Sequence, residues 1–471
     1  MKYWQQKWPL WLVIFVIFGG ASACKPKPSP RNSTKDTPVV VEENTFQLPN
    51  EDRASLKDLV QPSTQYLVRD SSLFDYFKID ETGIYFFADP KANSPLEAEF
   101  VIFPDEFATT MKMFRHFPLD SMVAFCREKK RSAWPDRFKK LPLPARFYYK
   151  EGKIAPLSGL KVAIDPGHMA ATAEVAEIEG KYMKMYANAQ QGRPAIQFHE
   201  ANLTLATAHL IRQQLEAMGA TVLMTRTQPG VGVTGLTWEA WRGSTALEDS
   251  IKRLRKTGEI SWKRARWWRK TAEEKDIMKR FYTPMDLRAR AKMINEFQPH
   301  LTLIIHYNVD SPNWELRDDE GYFRPTDQNY LMAFTPGSFM NGELAKLEDR
   351  VAFLRQIISD DVAESIRLCD AFVKASVAET GVHIVSSAYP LSYLHRASIL
   401  TDKPGVYARN LSLTRLIAGP LCYGESLNQD HREESLALNR RDLQIEGINT
   451  SSRLKSVANA YVKAVLSFVK D

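Results

Sequence analysis

The stretch Leu160-Lys-Val-Ala-Ile-Asp-Pro-Gly-His168 decides how this chain is read. Val162 to Ile164 is a short apolar run of the kind that forms a buried strand. Asp165-Pro166-Gly167 ends it, because proline lacks a ladder donor and glycine permits a sharp turn. A histidine is thereby delivered to the C-terminal end of a strand, the edge at which open α/β sheets collect ligands. Alone, His168 reads as a residue that merely follows a turn. As a metal ligand it needs partners further along the chain.

The length of 471 residues exceeds one ordinary core, which predicts two domains or one heavily elaborated domain. With 44% hydrophobic and 25% charged residues, the composition is globular and excludes disordered and fibrous classes. The first residues read as an export signal. Lys2 and Lys7 precede the apolar run Leu10 to Phe18, which is short for a bilayer span, and Gly19 to Ala23 are small. Small residues abutting Cys24 resemble the lipobox of bacterial lipoproteins, which implies a signal over residues 1–24 and lipidation at Cys24. Ala21 stands where that motif more often has leucine, so an ordinary signal-peptidase site is the alternative. By the same resemblance, Lys25 in place of aspartate implies a periplasm-facing lipoprotein of the outer rather than the inner membrane. Residues 25–44 are rich in Lys, Pro, Ser and Thr, cannot bury a core and read as a flexible tether. The remaining Cys126, Cys369 and Cys422 have apolar neighbours and spacings unlike a cysteine zinc site, and are expected to be buried free thiols.

Residues 45–156 alternate strand-like runs (83–88, 98–103) with a helical one (107–117). This predicts a small α+β region without a recognisable motif. From residue 157 the pattern becomes strand and helix in alternation. Helices are expected at 202–218, 284–297, 357–379 and 452–469, and strands at 221–225, 301–305, 330–335 and 419–423. That order predicts an α/β fold of three layers, a mostly parallel sheet with helices on both faces.

His306 also follows a predicted strand, so it reaches the same sheet edge as His168. Between them, Glu200 opens a helix and can project its carboxylate toward that edge, while His199 next door is the competing ligand. A catalytic zinc needs three such side chains and one position left for water.

In this part the chain resembles the zinc-dependent N-acetylmuramoyl-L-alanine amidases of the Amidase_3 type. The shared motifs are Ile164 to His168, then Glu200 with Asn202 and Leu203, Thr225-Arg226, Arg290 with Asn295, His306 with Asn308, and Pro420 to Glu425. The resemblance covers residue 160 to the C-terminus. It implies that His168, Glu200 and His306 bind Zn2+ and that Glu425 is the general base or acid. The bond cut would join N-acetylmuramic acid to L-alanine of the stem peptide, which makes peptidoglycan the substrate. Some departures stand out. Met169-Ala170 replace the usual Gly-Gly, the segment from His168 to Glu200 is long, and Ser426-Leu427-Asn428 replace Gly-Phe after Glu425, with Glu433 and Glu434 close by.

Arg226 and Arg290 are expected to brace helix and sheet through carboxylates. His209, His300, His383, His395 and His431 receive no assignment. An insertion at about 228–282 differs in character. Its segment 252–280 carries twelve Lys and Arg against four acidic residues, with Trp262, Trp267 and Trp268 interleaved, a local excess above the +7 of the whole chain. It reads as a solvated helical arm, as a surface for anionic membrane or wall polymer, or as a gate over the cleft moved by a protein activator. Nucleic acid fits its charge but not an exported chain. The sequence thus predicts an envelope lipoprotein carrying a zinc amidase. The alternatives are an inactive wall-binding or regulatory protein of the same fold and a zinc peptidase acting within the stem peptide.

Overall fold

The computed structural model describes residues 65–470, apart from residue 93 and the stretches 143–146, 187–194, 311–317 and 319–320. The expected signal, Cys24, the tether and the start of the N-terminal region lie outside the described residues. Apolar runs around Gly83 form a three-stranded antiparallel sheet of β1 (Phe77–Asp80), β2 (Gly83–Phe86) and β3 (Phe100–Ile102). Its core does not close on itself. Phe77, Phe86, Met113 and Trp134 share one buried cluster with Phe339, Phe353 and Ile357, and the Phe77 and Phe353 rings stand 4.9 Å apart.

The central sheet contains β4 (Lys161–Pro166). A hairpin of β5 (Tyr182–Tyr186) and β6 (Ala195–His199) follows outside it. The sheet continues with β7 (Thr221–Met224), β8 (Leu301–Asn308), β9 (Tyr330–Thr335), β10 (His383–Ile384), β11 (Ser398–Leu400), β12 (Val406–Arg409) and β13 (Leu421–Asn428). Its order is β11-β12-β9-β13-β8-β4-β7, with β10 also pairing with β9. β7, β4, β8 and β13 are parallel, whereas β9 joins β13 antiparallel. The sheet is therefore mixed. The expected parallel character holds for the half that carries the candidate ligands, and the short strands β10 to β12 extend the other half.

Alternation along the strands sorts residues to two faces. Val162, Ile164, Leu303 and Ile305 pack under helices Glu200–Ala217, Asp361–Thr380 and Leu454–Lys470, while Ala163, Ile304 and Leu421 pack against Ala291 and Ile294 of helix Thr283–Phe297. Helices on both faces complete the three-layer α/β arrangement. The single helix expected at 357–379 is instead two, Leu347–Ile358 and Asp361–Thr380. They part at Ser359, whose backbone is extended (φ −108°, ψ 163°). Buried Asp361 fixes this break by accepting from Arg115 (2.6 Å) and from the Gly419 N–H (2.9 Å). Cys126, Cys369 and Cys422 are buried and unpaired.

The last helix locks onto β13 where that strand has no side chain. Tyr461 lies against Phe372, ring centroids 4.4 Å apart, and both meet the backbone of Gly424. A methyl group there would collide with the Tyr461 hydroxyl and stand 2.7 Å from the Phe372 ring. Gly424→Ala should therefore lower the unfolding free energy by roughly 1–3 kcal/mol, the usual cost of overpacking. An unchanged denaturation midpoint would show that the two rings give way freely.

Candidate metal centre

β4 and β8 run side by side, with Pro166 in register with Ile305, so His168 and His306 meet at one sheet edge. The strand runs two residues further than expected, through Asp165 and Pro166, and Gly167 N–H still donates to Ile305 O at 3.0 Å. His168 then takes a left-handed backbone (φ 59°), which a residue with a side chain keeps only when its surroundings impose it. Arg290 donates to the carbonyls of Pro166 (2.9 Å) and His168 (3.1 Å). Arg226 donates to those of Pro166 (3.1 Å) and Gly167 (2.9 Å). A Cβ on Gly167 would run into the His306 imidazole, so glycine alone lets the turn lie against that ring.

Arg290 also braces through carboxylates, 2.7 Å from Asp286 and 3.4 Å from Asp165. Arg226 departs from that expectation. Its remaining hydrogen bonds go to Ala201 O (2.7 Å) and the Thr204 hydroxyl (3.0 Å), so carbonyl and hydroxyl oxygens stand where carboxylates were expected.

Strand β6 passes into helix Glu200–Ala217 without a loop, which sets Glu200 at the helix N-terminus, where the helix dipole favours an anion. Its Oε1 lies 3.2 Å from His168 Nε2 and 3.1 Å from His306 Nδ1. His199 turns elsewhere, its ring against Tyr182 and its Nδ1 3.4 Å from Asn202 Nδ2. One ligand atom from each of His168, Glu200 and His306 falls within 4.8 Å of the others. Ligand atoms of a tetrahedral zinc with bonds of ~2.0–2.1 Å stand about 3.3 Å apart, so the donor set fits such an ion. His168 Nε2 is buried and, with Glu200 Oε1 3.2 Å away but out of line, makes no well-formed hydrogen bond among the described residues, a buried nitrogen that an ion would satisfy.

Burial would raise the Glu200 carboxyl, but His168 and Lys181 hold it well below the ordinary carboxylate range. Burial depresses His306 to about 4, which leaves its ring neutral and able to act as a ligand. Glu425 is in register with His306 on β13, and burial followed by the charge of Glu200 pushes it up to about 8. Glu200 is thus held as a carboxylate facing the histidines, while Glu425 beside it holds its proton more tightly. Glu434 is taken up by Arg453 at 2.6 Å, and Glu433 is exposed. Asn295 ties helix Thr283–Phe297 to the approach to β13, donating to Leu416 O and accepting from Ala418 N, each at 2.9 Å.

Sequence reasoning missed four residues around this group. Glu179 accepts from His168 Nδ1 (3.2 Å) and from the N–H groups of Met169 (3.4 Å) and Ala170 (3.2 Å). Lys181 Nζ and Gln429 Nε2 lie 3.4 and 3.1 Å from Glu200 Oε2. Tyr423 stacks on His306, centroids 4.5 Å apart and planes 1° from parallel. The available signal for two of them was Glu179-Gly180-Lys181, opposite charges flanking a helix stop between two candidate ligands. The departure at Met169-Ala170 also finds its reason here. Both are buried in one cluster with Trp241, Ile251, Met278 and Tyr282 of the insertion, and Met278 and Tyr282 form one wall of the cleft beside His168.

The chain matches the Amidase_3 family model, described as N-acetylmuramoyl-L-alanine amidase, over residues 162–465, well over half its length. No curated protein matches it in sequence. Among solved structures, similar chains include the N-acetylmuramyl-L-alanine amidase Ami1 from Mycobacterium abscessus (14% identity, 66% of this chain and 99% of that one, TM-score 0.34). The N-acetylmuramoyl-L-alanine amidase AmiC2 of Nostoc punctiforme is similar at 12% identity, over 67% of this chain and 99% of that one, TM-score 0.33. The CwlD amidase from Clostridioides difficile, solved in complex with the GerS lipoprotein, is similar at 11% identity over 66% and 99%, TM-score 0.33. By the extent of the family match, the chain belongs to the Amidase_3 family of N-acetylmuramoyl-L-alanine amidases.

Proposed function

We propose that the chain hydrolyses peptidoglycan at the amide between N-acetylmuramic acid and L-alanine of the stem peptide, using Zn2+ held by His168, Glu200 and His306. The grouping of those three side chains, with a second carboxyl opposite His306, is the observation that carries this reading. Bound there, zinc would bring the pKa of water to about 7 and polarise the scissile carbonyl. Glu425 moves the proton: a cation bound beside Glu200 would offset the charge that raises Glu425, and its carboxylate then takes the proton from the attacking water and passes it to the departing alanine nitrogen. Glu179 fixes the His168 ring through Nδ1 and leaves Nε2 free, while Tyr423 fixes the plane of the His306 ring. Lys181 and Gln429 occupy Glu200 Oε2 and leave Oε1 facing the two histidines. A wall substrate accords with export and with a lipid anchor at Cys24 in the outer membrane, which we propose alongside.

Digestion of purified sacculi should release free L-alanine amines and leave muramic acid intact. Cuts between amino acids would identify a peptidase instead, and the absence of products an inactive wall binder. Glu425→Ala should abolish hydrolysis while zinc content, read by atomic absorption, stays at the wild-type level. Near-normal turnover in that variant would transfer the proton to Glu433 or Glu434. Glu179→Gln should weaken zinc binding about 10–100-fold in a chelator competition, the usual loss when a histidine ligand loses its carboxylate partner; an unchanged affinity would reduce Glu179 to a loop brace.

A further inference from the structure

The insertion is more than a charged arm. Helices Ala246–Lys256 and Trp262–Lys270 bury Leu247, Ile251, Leu254, Ala265 and Trp268 in a common cluster, so their polar faces turn outward. All twelve lysines and arginines from residue 252 to 280 are exposed. Three meet a carboxylate: Lys252 with Asp249 (3.9 Å), Arg269 with Glu248 (2.7 Å) and Lys275 with Glu273 (2.8 Å). Among the described residues the other nine form no ion pair, although seven of them crowd two short packed helices where like charges repel. On the same surface Trp262 is 56% exposed, with Arg266 over its ring at 5.7 Å.

A merely solvated face gains nothing from an exposed indole, and a soluble polyanion asks only for charge. Tryptophan among cations, on helices whose opposite sides are anchored in a core, is the composition that settles at the headgroup level of a bilayer. No described helix is long and apolar enough to cross a membrane, so the contact would be superficial. We propose that the outward face of helices Ala246–Lys256 and Trp262–Lys270 binds the surface of an anionic phospholipid bilayer. The charges supply attraction that decays within a Debye length, and Trp262 supplies insertion at the interface. The proposal is independent of what the metal centre hydrolyses.

Partition of the full chain between buffer and vesicles tests this, using phosphatidylcholine alone and an equal mixture with phosphatidylglycerol. An N-terminal apolar segment would favour both vesicles alike, so the difference between them reports the charged face. The wild-type chain should bind the anionic vesicles at least about tenfold more tightly, with the difference shrinking as salt is raised. Lys256→Glu, Lys263→Glu and Lys270→Glu combined should lose at least about tenfold on anionic vesicles with the melting temperature unchanged. Trp262→Ala should weaken binding to the same vesicles without altering its salt dependence. Equal wild-type affinity for both vesicles, or a preference insensitive to salt, overturns the proposal without recourse to any variant. So does a folded triple variant that binds like wild type. Capture by soluble polyphosphate but not by anionic vesicles would make this a polymer-binding face and overturn the bilayer assignment.

Discussion

Two buried guanidinium groups make the turn after β4 possible. Arg226 and Arg290 together satisfy the carbonyl oxygens of Pro166, Gly167 and His168, which the left-handed turn removes from any ladder. Unsatisfied carbonyls at that depth would each cost about 1–3 kcal/mol, and stripping one charge from such a buried network costs ~3–5 kcal/mol. The arginines hydrogen-bond to none of the three candidate ligands' side chains, Arg290 meeting only the backbone carbonyl of His168. They decide where the His168 ring can be, and Gly167 decides how close His306 can approach.

Around this fixed edge the chain varies its loops. The same residues that depart from the family pattern, Met169 and Ala170, supply apolar surface for the insertion, and Glu179 from the elongated segment reaches back to hold their N–H groups. The segment between His168 and Glu200 thus carries both a carboxylate partner for one histidine and, in Met169-Ala170, a floor for a helical module. The module in turn walls one side of the cleft, so substrate access and the basic surface belong to one folded unit.

Much of this was legible from residues alone. Leu301 to Ile305 is a five-residue, largely apolar run with His306 directly after it, and the shorter run Val162 to Ile164 is marked by the Asp165-Pro166-Gly167 turn that leads to His168, so the ligand edge could be placed from residues alone. Glu200 was separable from His199 only through resemblance, because both sit at a strand–helix junction where periodicity assigns neither to the sheet edge. The reversal at β9 was hidden, since a buried strand reads alike in parallel and antiparallel pairing. Strands β10 to β12 are two to four residues long, below the length at which alternation can be recognised. The helix break at Ser359 was hidden because Asp361 owes its position to Arg115 and Gly419, both remote in sequence. Glu179, Gln429 and Lys181 matter through partners that only folding brings near.

The register of Glu425 against His306 carries a consequence for biogenesis. The four groups lie at residues 168, 200, 306 and 425, and they converge only once β4, β8 and β13 have paired across more than a hundred residues at each step. Non-local parallel pairing of this kind forms late, after its loop-closure entropy has been met. Neither a nascent chain still lacking β13 nor an unfolded chain can assemble the centre. The centre of this amidase is therefore complete only when synthesis and folding are complete.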